Sequence, residues 1–407
     1  MKLVLGDLTD VRDRIERDAG EHAATLARET PPGQPVHTVY VPADRLTATV
    51  TADWGRAALR LLEEHARAEP GAAFGLPAGA PADEVLRRVA ARLTTLPVED
   101  LRIDFEDGYG TRDDAEEDRH CTAAAEAVAG AYALGVLPPR WGLRVKSFAD
   151  GRHDRAIRTL DGFVTAVIER VGALPEGFVI TFPKIVHPGH VSAMVEVLTR
   201  LEEAHDLPPI RFEAQVETPE TLLDLHGTDG LRGILRAAAG RLSAAHFGVF
   251  DYTAALGLPP AEQRLDHPAC DHARHLMQVA LAGTGVWLSD GSTNVAPASD
   301  ATADVHAAWR RHAGHVRHSL RHGFHQGWDL HWAQLPSRFA AVYALHLTGY
   351  ERTCERVRAW TSRRDDAGGM LDEPATVRAL VAQLGRAVAC GAVDAVDVRS
   401  RTGLDAL

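Results

Sequence analysis

Hydrophobic and polar positions along the chain keep two rhythms. Short runs of alternating apolar, often β-branched residues read as strands, and between them apolar positions recur at helical spacing. The first strand is "VHTVYVPADR", where Val36, Val39 and Val41 are β-branched and Pro42 ends the run. Seven more follow: "LRIDFED" (101–107), "WGLRVKSF" (141–148), "GFVITFPKI" (177–185), "IRFEAQVE" (210–217), "AAHFGVFD" (244–251), "GVWLSDG" (285–291) and "GWDLHW" (327–332). Helical patterns separate them at 113–134, 154–171, 189–203, up to about 239, 269–282, up to about 322, and from 336. Between the first two strands lie two amphipathic helices, 54–68 and 82–93; Asp83 and Glu84 in "PADE" suit the positive end of the second.

Crossover helices force neighbouring strands to run parallel. About eight β/α units in succession are the signature of a closed (β/α)8 TIM barrel. The rival, a doubly wound open sheet, lacks its glycine-rich phosphate loop here. A charged helical lead-in to about residue 29 precedes "TPPGQP". After residue 349 two further helices are expected, 350–364 and 374–390, split by "DDAGGMLDEP". The expected organisation is therefore a lead-in (1–35), a barrel (36–348) and a C-terminal helical segment (349–407) acting as lid or oligomer contact.

Composition narrows the function. The formal net charge of −12 argues against a nucleic-acid or anionic-membrane surface, since both want basic patches. Hydrophobic content of 45% and charged content of 25% suit a globular protein with a large core. Cys121, Cys270, Cys354 and Cys390 form no CxxC pair, which reads as reduced thiols in a cytoplasmic protein. The start "MKLVLGDLTDVRDRIERD" turns charged at once and is not a secretory signal, and no stretch is long and apolar enough to span a membrane.

Barrel active sites lie at the carboxyl ends of the strands. The expected tips carry Asp44-Arg45, Asp104/Glu106/Asp107, Arg144 and Lys146, Lys184, Glu217, Asp251, Ser289-Asp290, and Asp329 with His331. Any one charged tip can be a solvated or paired rim group; the succession is what points to a site. Glu217 and Asp251 each end an otherwise apolar run in adjacent units, so their carboxylates are expected to converge. Converging carboxylates repel unless a proton or cation intervenes. Oxygen-only ligation then points to Mg²⁺ or Mn²⁺ as cofactor. Arg144 is expected to grip a substrate carboxylate by a bidentate fork. Arg45, Lys146, Lys184 and His331 join it as candidate substrate contacts. A Schiff-base lysine is disfavoured, because carboxylates around Lys146 or Lys184 raise the lysine pKa rather than depress it. His315, His318, His322 and His325 recur at helical spacing, a pattern that suits a wet or packing helix face better than a metal site.

The ordered series "YVPADR", "IDFEDGYG", "LRVKSF", "FPKIV", "VETPETLLD", "FGVFDYTAALG", "WLSDGS" and "GWDLHWAQLP" resembles the citrate lyase beta-subunit-like proteins of the HpcH/HpaI aldolase superfamily, which include malyl-CoA and citramalyl-CoA lyases and related synthases. The likeness runs from about residue 36 to 340. It implies a TIM barrel with Mg²⁺ on Glu217 and Asp251, metal-bound waters held by Glu106 and Asp107, and a keto-acid carboxylate on Arg144. It also implies that Asp290 transfers a proton, often across a subunit boundary, and that the chain forms trimers or hexamers. The series departs at Lys146, where the family has asparagine, at Trp332, where it has proline, and at Tyr252, a phenol beside Asp251.

The expected activity is a Mg-dependent carbon–carbon lyase or aldolase acting on a 2-keto or 3-hydroxy acid through a metal-stabilised enolate, with a coenzyme A thioester as candidate co-substrate. Two alternatives stand beside it: a malate-synthase-like Claisen condensing enzyme, and an inactive barrel serving as a binding or regulatory protein.

Overall fold

The computed structural model describes residues 8–26, 31–224, 230–362 and 373–404. Eight strands close into one parallel barrel in sequence order, with β1 hydrogen-bonded to both β2 and β8. They are β1 His37–Pro42, β2 Asp100–Asp104, β3 Arg140–Arg144, β4 Phe178–Phe182, β5 Arg211–Val216, β6 Leu242–Phe247, β7 Trp287–Ser292 and β8 Gln326–Asp329. Each expected strand is present, though most end before the charged residues read as their tips.

The helices are α1 Thr9–Leu26, α2 Val50–His65, α3 Pro70–Phe74, α4 Ala82–Thr95, α5 Asp114–Ala133, α6 His153–Val171, α7 Pro188–His205, α8 Pro219–Leu222, α9 Gly230–Ala237, α10 Val249–Ala255, α11 Pro268–Leu281, α12 Thr302–Arg321, α13 Leu335–Leu347, α14 Tyr350–Thr361, α15 Pro374–Ala389 and α16 Ala395–Thr402. α16 adds a third C-terminal helix to the two expected. The ends expected near residues 29 and 364, and most of "DDAGGMLDEP", lie outside the described residues. Among the described residues no helix is long and apolar enough to cross a membrane.

Successive side chains of a strand face opposite ways, and in this barrel the alternation is inverted relative to simple intuition. The apolar set of β5, Phe212, Ala214 and Val216, faces the helices. The polar set, Glu213 and Gln215, faces the barrel axis. Arg102 inside the barrel donates to both oxygens of Asp100 at 2.7 and 3.0 Å, to Glu213 Oε2 at 2.7 Å and to Thr181 at 2.8 Å. Trp328 Nε1 donates to His246 Nδ1 at 2.9 Å, and Gln326 to Thr38 at 2.9 Å. Barrel interiors are usually filled by branched aliphatic residues; here a fully buried ion network fills the layer beneath the mouth. The main apolar core lies between strands and helices, around Trp141, Phe163, Phe182, Phe212, Phe247 and Trp309.

Candidate active site at the carboxyl ends of the strands

A pocket of about 460 Å³ opens at this end, lined by Tyr40, Asp104, Asp107, Arg144, Glu217, Asp251, Ser292 and Trp328 among others. Its acidic floor is built by short-range geometry. Asp104 ends β2 and accepts from the backbone N–H of Glu106 at 2.9 Å and of Gly108 at 2.8 Å, which folds the loop after the strand back over the barrel. A Cβ at Gly108 would lie 2.5 Å from Asp104 Oδ2, so only glycine permits that approach.

Arg144 ends β3. Its fork does not point to open space: Nε and Nη2 donate to the two oxygens of Asp104 at 2.7 and 2.6 Å. The bidentate grip expected for a substrate carboxylate is thus occupied by Asp104, and only the Nη1 edge is turned to the loop carboxylates, 3.3 Å from Glu106 and 3.9 Å from Asp107. The guanidinium also lies over the Tyr40 ring, 4.8 Å from its centroid.

Lys184 follows β4. Its ammonium pairs with Glu106, donates to Asp107 Oδ1 at 2.8 Å, and stands 3.8 Å from Asp251 Oδ2. Its backbone has a φ of 48°, in the left-handed region that costs a side-chain-bearing residue roughly 1–2 kcal/mol. That conformation aims its N–H at Glu217 Oε1, 2.7 Å away. Burial works against the lysine charge, but Glu106 and Glu217 outweigh it and hold the ammonium above its ordinary range. This favours the charged form and disfavours Schiff-base chemistry.

Glu217 is the first residue after β5 and is 2% exposed. A Cβ at Gly248, which opens α10, would fall 2.4 Å from Glu217 Cβ, so glycine leaves the space this carboxylate occupies. Burial pushes Glu217 up to about 8; Glu106 and Asp251 add repulsion, against Lys184. Asp251 is not at a strand tip. β6 ends at Phe247, and Asp251 sits on the first turn of α10, its side chain 44% exposed. Its pKa is raised by burial, opposed by Lys184 and reinforced by Asp107. Glu106 is pushed up to about 7, chiefly by burial, with Arg144 opposing and Asp107 adding. Asp107 goes the other way: burial would raise it, but the Lys184 hydrogen bond and the Arg144 charge win.

Five carboxylates (Asp104, Glu106, Asp107, Glu217, Asp251) therefore share one mouth with two cations (Arg144, Lys184), and burial makes three of them, Glu106, Glu217 and Asp251, hold their protons more tightly than usual. The pocket lining contains neither histidine nor cysteine. An oxygen-only donor set short of positive charge fits a hard divalent cation, which Glu217 and Asp251 could hold. These carboxylates are not drawn into a tight three-donor cluster; the cluster of that kind among the described residues lies elsewhere, at Asp271, His318 and His322. Magnesium commonly takes only one or two protein carboxylates.

Four expected site residues are not in the mouth. Asp290, expected to move a proton, is fully buried on the outer face of β7: Arg274 of α11 donates to its two oxygens at 2.8 and 3.2 Å. The strand alternation, with a register shift between Ser289 and Ser292, sends Ser292 into the pocket and Asp290 to the helices. Lys146 is turned under the rim, where it donates to Glu117 of α5 and to the Phe105 carbonyl, both at 2.7 Å. His331 caps the turn before α13 by accepting from the Ala333 N–H at 3.2 Å. Arg45 is exposed on the turn after β1 and does not line the pocket. Asp329, read as an eighth tip, is likewise buried outside the barrel between His37, His312 and Arg338.

The structure brings in residues that sequence reasoning passed over. Tyr40 and Trp328 line the pocket with their rings tilted by 40° and 4.7 Å apart between centroids. The Tyr40 hydroxyl is buried without a hydrogen-bond partner. Asp104, seen as one more acid, is the residue that orients Arg144. The strand alternation of Tyr40 with Val39 and Val41 was the available signal for Tyr40: it is the residue of opposite face on the same strand.

Barrel and mouth together define a parallel (β/α)8 protein with an acidic pocket at the carboxyl ends of its strands. The chain belongs to the family described as Domain of unknown function (DUF6986), whose profile matches residues 18–407. In structure it is similar to Haloferax volcanii malate synthase. A lead(II) complex of that enzyme aligns with a TM-score of 0.52 and 15% identity over 77% of this chain and 74% of that one. The native enzyme at 3 mM glyoxylate aligns at 0.50 with 14% identity over 90% and 99%. At these identities the likeness establishes the barrel fold. A search of curated proteins returned no match.

Proposed function

We propose that this barrel is a divalent-cation-dependent enzyme that makes or breaks a carbon–carbon bond beside the carbonyl of a small 2-keto acid, in the manner of a malate-synthase-like condensing enzyme. The observation that carries the reading is Glu217: a buried carboxylate, raised to about 8, facing a pocket it shares with Asp251, Asp104 and Asp107. Such a group is costly to keep unless a cation completes it. Bound Mg²⁺ or Mn²⁺ would supply Lewis-acid stabilisation of negative charge developing on a substrate oxygen.

The chain's own residues do the rest. Lys184 holds Glu106 and Asp107 with its ammonium and Glu217 with its N–H, so it sets the spacing of the acids. Arg144, locked by Asp104, presents positive potential to a carboxylate rather than a free fork. Tyr40 and Trp328 close the floor and limit the acid to a small one. Proton transfer falls to Glu106, whose pKa of about 7 suits a group that must both take and release a proton near neutrality. The neighbour crystallised with glyoxylate is consistent with a small keto acid. The lyase resemblance in the sequence and the condensing neighbours describe one bond read in opposite directions, and a coenzyme A thioester is the proposed partner of the keto acid.

The test is to incubate the purified chain and Mg²⁺ with glyoxylate, pyruvate or oxaloacetate and short acyl-CoA donors, following products by mass spectrometry. A new carbon–carbon product that disappears in Glu217→Gln and in Asp251→Asn is expected. A product made equally well by both variants would overturn the assignment.

A further inference from the structure

Away from the mouth, three side chains on two outer helices converge. Asp271 lies on the first turn of α11; His318 is in the last turn of α12, and His322 caps it. One carboxylate oxygen and one ring nitrogen from each histidine all lie within 4.8 Å of one another. His318 Nε2 is 2.7 Å, and His322 Nε2 3.5 Å, from the same oxygen, Asp271 Oδ1. Ligands held at about 2.0–2.1 Å around a tetrahedral ion sit roughly 3.4 Å apart, so little movement would be needed to seat one.

A hydrogen-bonded ion pair accounts for His318 without a metal. His322 stands farther from the same oxygen, and its ring is fixed from the other side by the backbone. The Nδ1 of His322 lies 3.0 Å from the His318 carbonyl oxygen. A carbonyl only accepts, so Nδ1 carries the proton. Nε2 is the ring nitrogen left turned toward the carboxylate, 3.5 Å from Asp271 Oδ1. A backbone carbonyl holding one ring nitrogen and leaving the other free for an ion is how metal-binding histidines are commonly oriented. Arg274 Nη1 donates to Asp271 Oδ1 at 2.7 Å and aims that carboxylate. The His275 ring stands 5.7 Å from the His322 ring, centroid to centroid, near enough to border a fourth position. The three side chains are 23–26% exposed, so an ion can enter from solvent.

We propose that Asp271, His318 and His322 form a second metal site, distinct in chemistry from the oxygen-rich mouth. Two imidazoles and one carboxylate suit a borderline transition-metal ion, Zn²⁺ above all, rather than magnesium. The ion would clip α11 to α12 and leave one position open to water.

The full chain, stripped with chelator and then held in saturating Mg²⁺ to occupy the mouth, should be titrated with Zn²⁺ by calorimetry. The expected result is one zinc per chain. Asp271→Asn, His318→Ala and His322→Ala should each weaken it by at least about tenfold, while His272→Ala, on the same helix but outside the cluster, should not. Failure of the wild-type chain to bind zinc under these conditions, or binding that survives His318→Ala and His322→Ala unchanged, overturns the proposal. Should a variant misfold by circular dichroism, Co²⁺ added to the wild-type chain decides: nitrogen-ligated cobalt bands are expected, and their absence overturns the site.

Discussion

The backbone N–H of Lys184 donates to Glu217 Oε1 at 2.7 Å, from a residue whose φ is 48°. A left-handed lysine at the end of β4 thus holds the buried acid at the end of β5. The same lysine's ammonium binds the acids of the β2 loop. Strain of this kind is kept where a site needs it, and it makes the mouth one electrostatic unit.

The first consequence concerns pH and stability. Glu217 titrates near 8 in the folded chain against 4.5 for an ordinary glutamate. Between those values the folded, cation-free protein keeps a proton that the unfolded chain has released. Its stabilising effect is fully present below about pH 4.5 and is lost as pH rises towards 8, by on the order of a few kcal/mol. Thermal melts in chelator should show a declining midpoint over that window, and Glu217→Gln should flatten it. A wild-type midpoint that climbs from pH 6 to 8 and is matched by Glu217→Gln would remove the basis for this.

Cation binding must expel the same proton. Apparent Mg²⁺ affinity should therefore rise about tenfold per pH unit below pH 8. Calorimetry in two buffers of different ionisation enthalpy should count close to one proton released near pH 7. Asp251→Asn should weaken binding by at least about tenfold. A pH-independent affinity with no proton release contradicts the role given to Glu217.

At Lys184, backbone and ammonium can be separated. Lys184→Gly and Lys184→Ala both lose the ion pairs with Glu106 and Asp107, and both should lower kcat by at least about tenfold, in the range of a lost transition-state charge partner. Only glycine relieves the left-handed strain, so it should be the more stable of the two by roughly 1 kcal/mol. Equal chemical-denaturation midpoints for the two variants would show that φ is not strained in solution.

Asp290 separates a structural role from a catalytic one. Asp290→Asn leaves the buried Arg274 with Asp271 as its remaining carboxylate, and breaking a buried pair commonly costs about 3–5 kcal/mol. Stability should fall by that order, while kcat per folded molecule stays within about threefold of wild type, because the side chain does not reach the pocket. Loss of turnover in a variant that melts like wild type would return Asp290 to the chemistry.

Much of this was legible beforehand, and the misses share a cause. Glu217, which lines the pocket, stands out in the sequence because a carboxylate after an apolar run has few reasons to be there. Arg144 was found with the wrong partner: sequence cannot show that Asp104, forty residues away, takes its fork. Proximity to strand ends alone puts Lys146 and Asp290 in the mouth. Facing is set by which side of the pleat a residue falls on, and one bulge or one residue past the strand reverses it. The helical spacing of His318 and His322 carries no sign of Asp271, which α11 brings against them.

Local order was decided by the chain alone. β-branched alternation, proline and glycine stops and helical periodicity act over a few residues, and those suffice to count eight β/α units and close them into a barrel. Which polar groups share a pocket was decided by closure itself. Strand parity, the inward ion network around Arg102 and the packing of one helix on the next join residues separated by tens to hundreds of positions, and no local pattern encodes such distances.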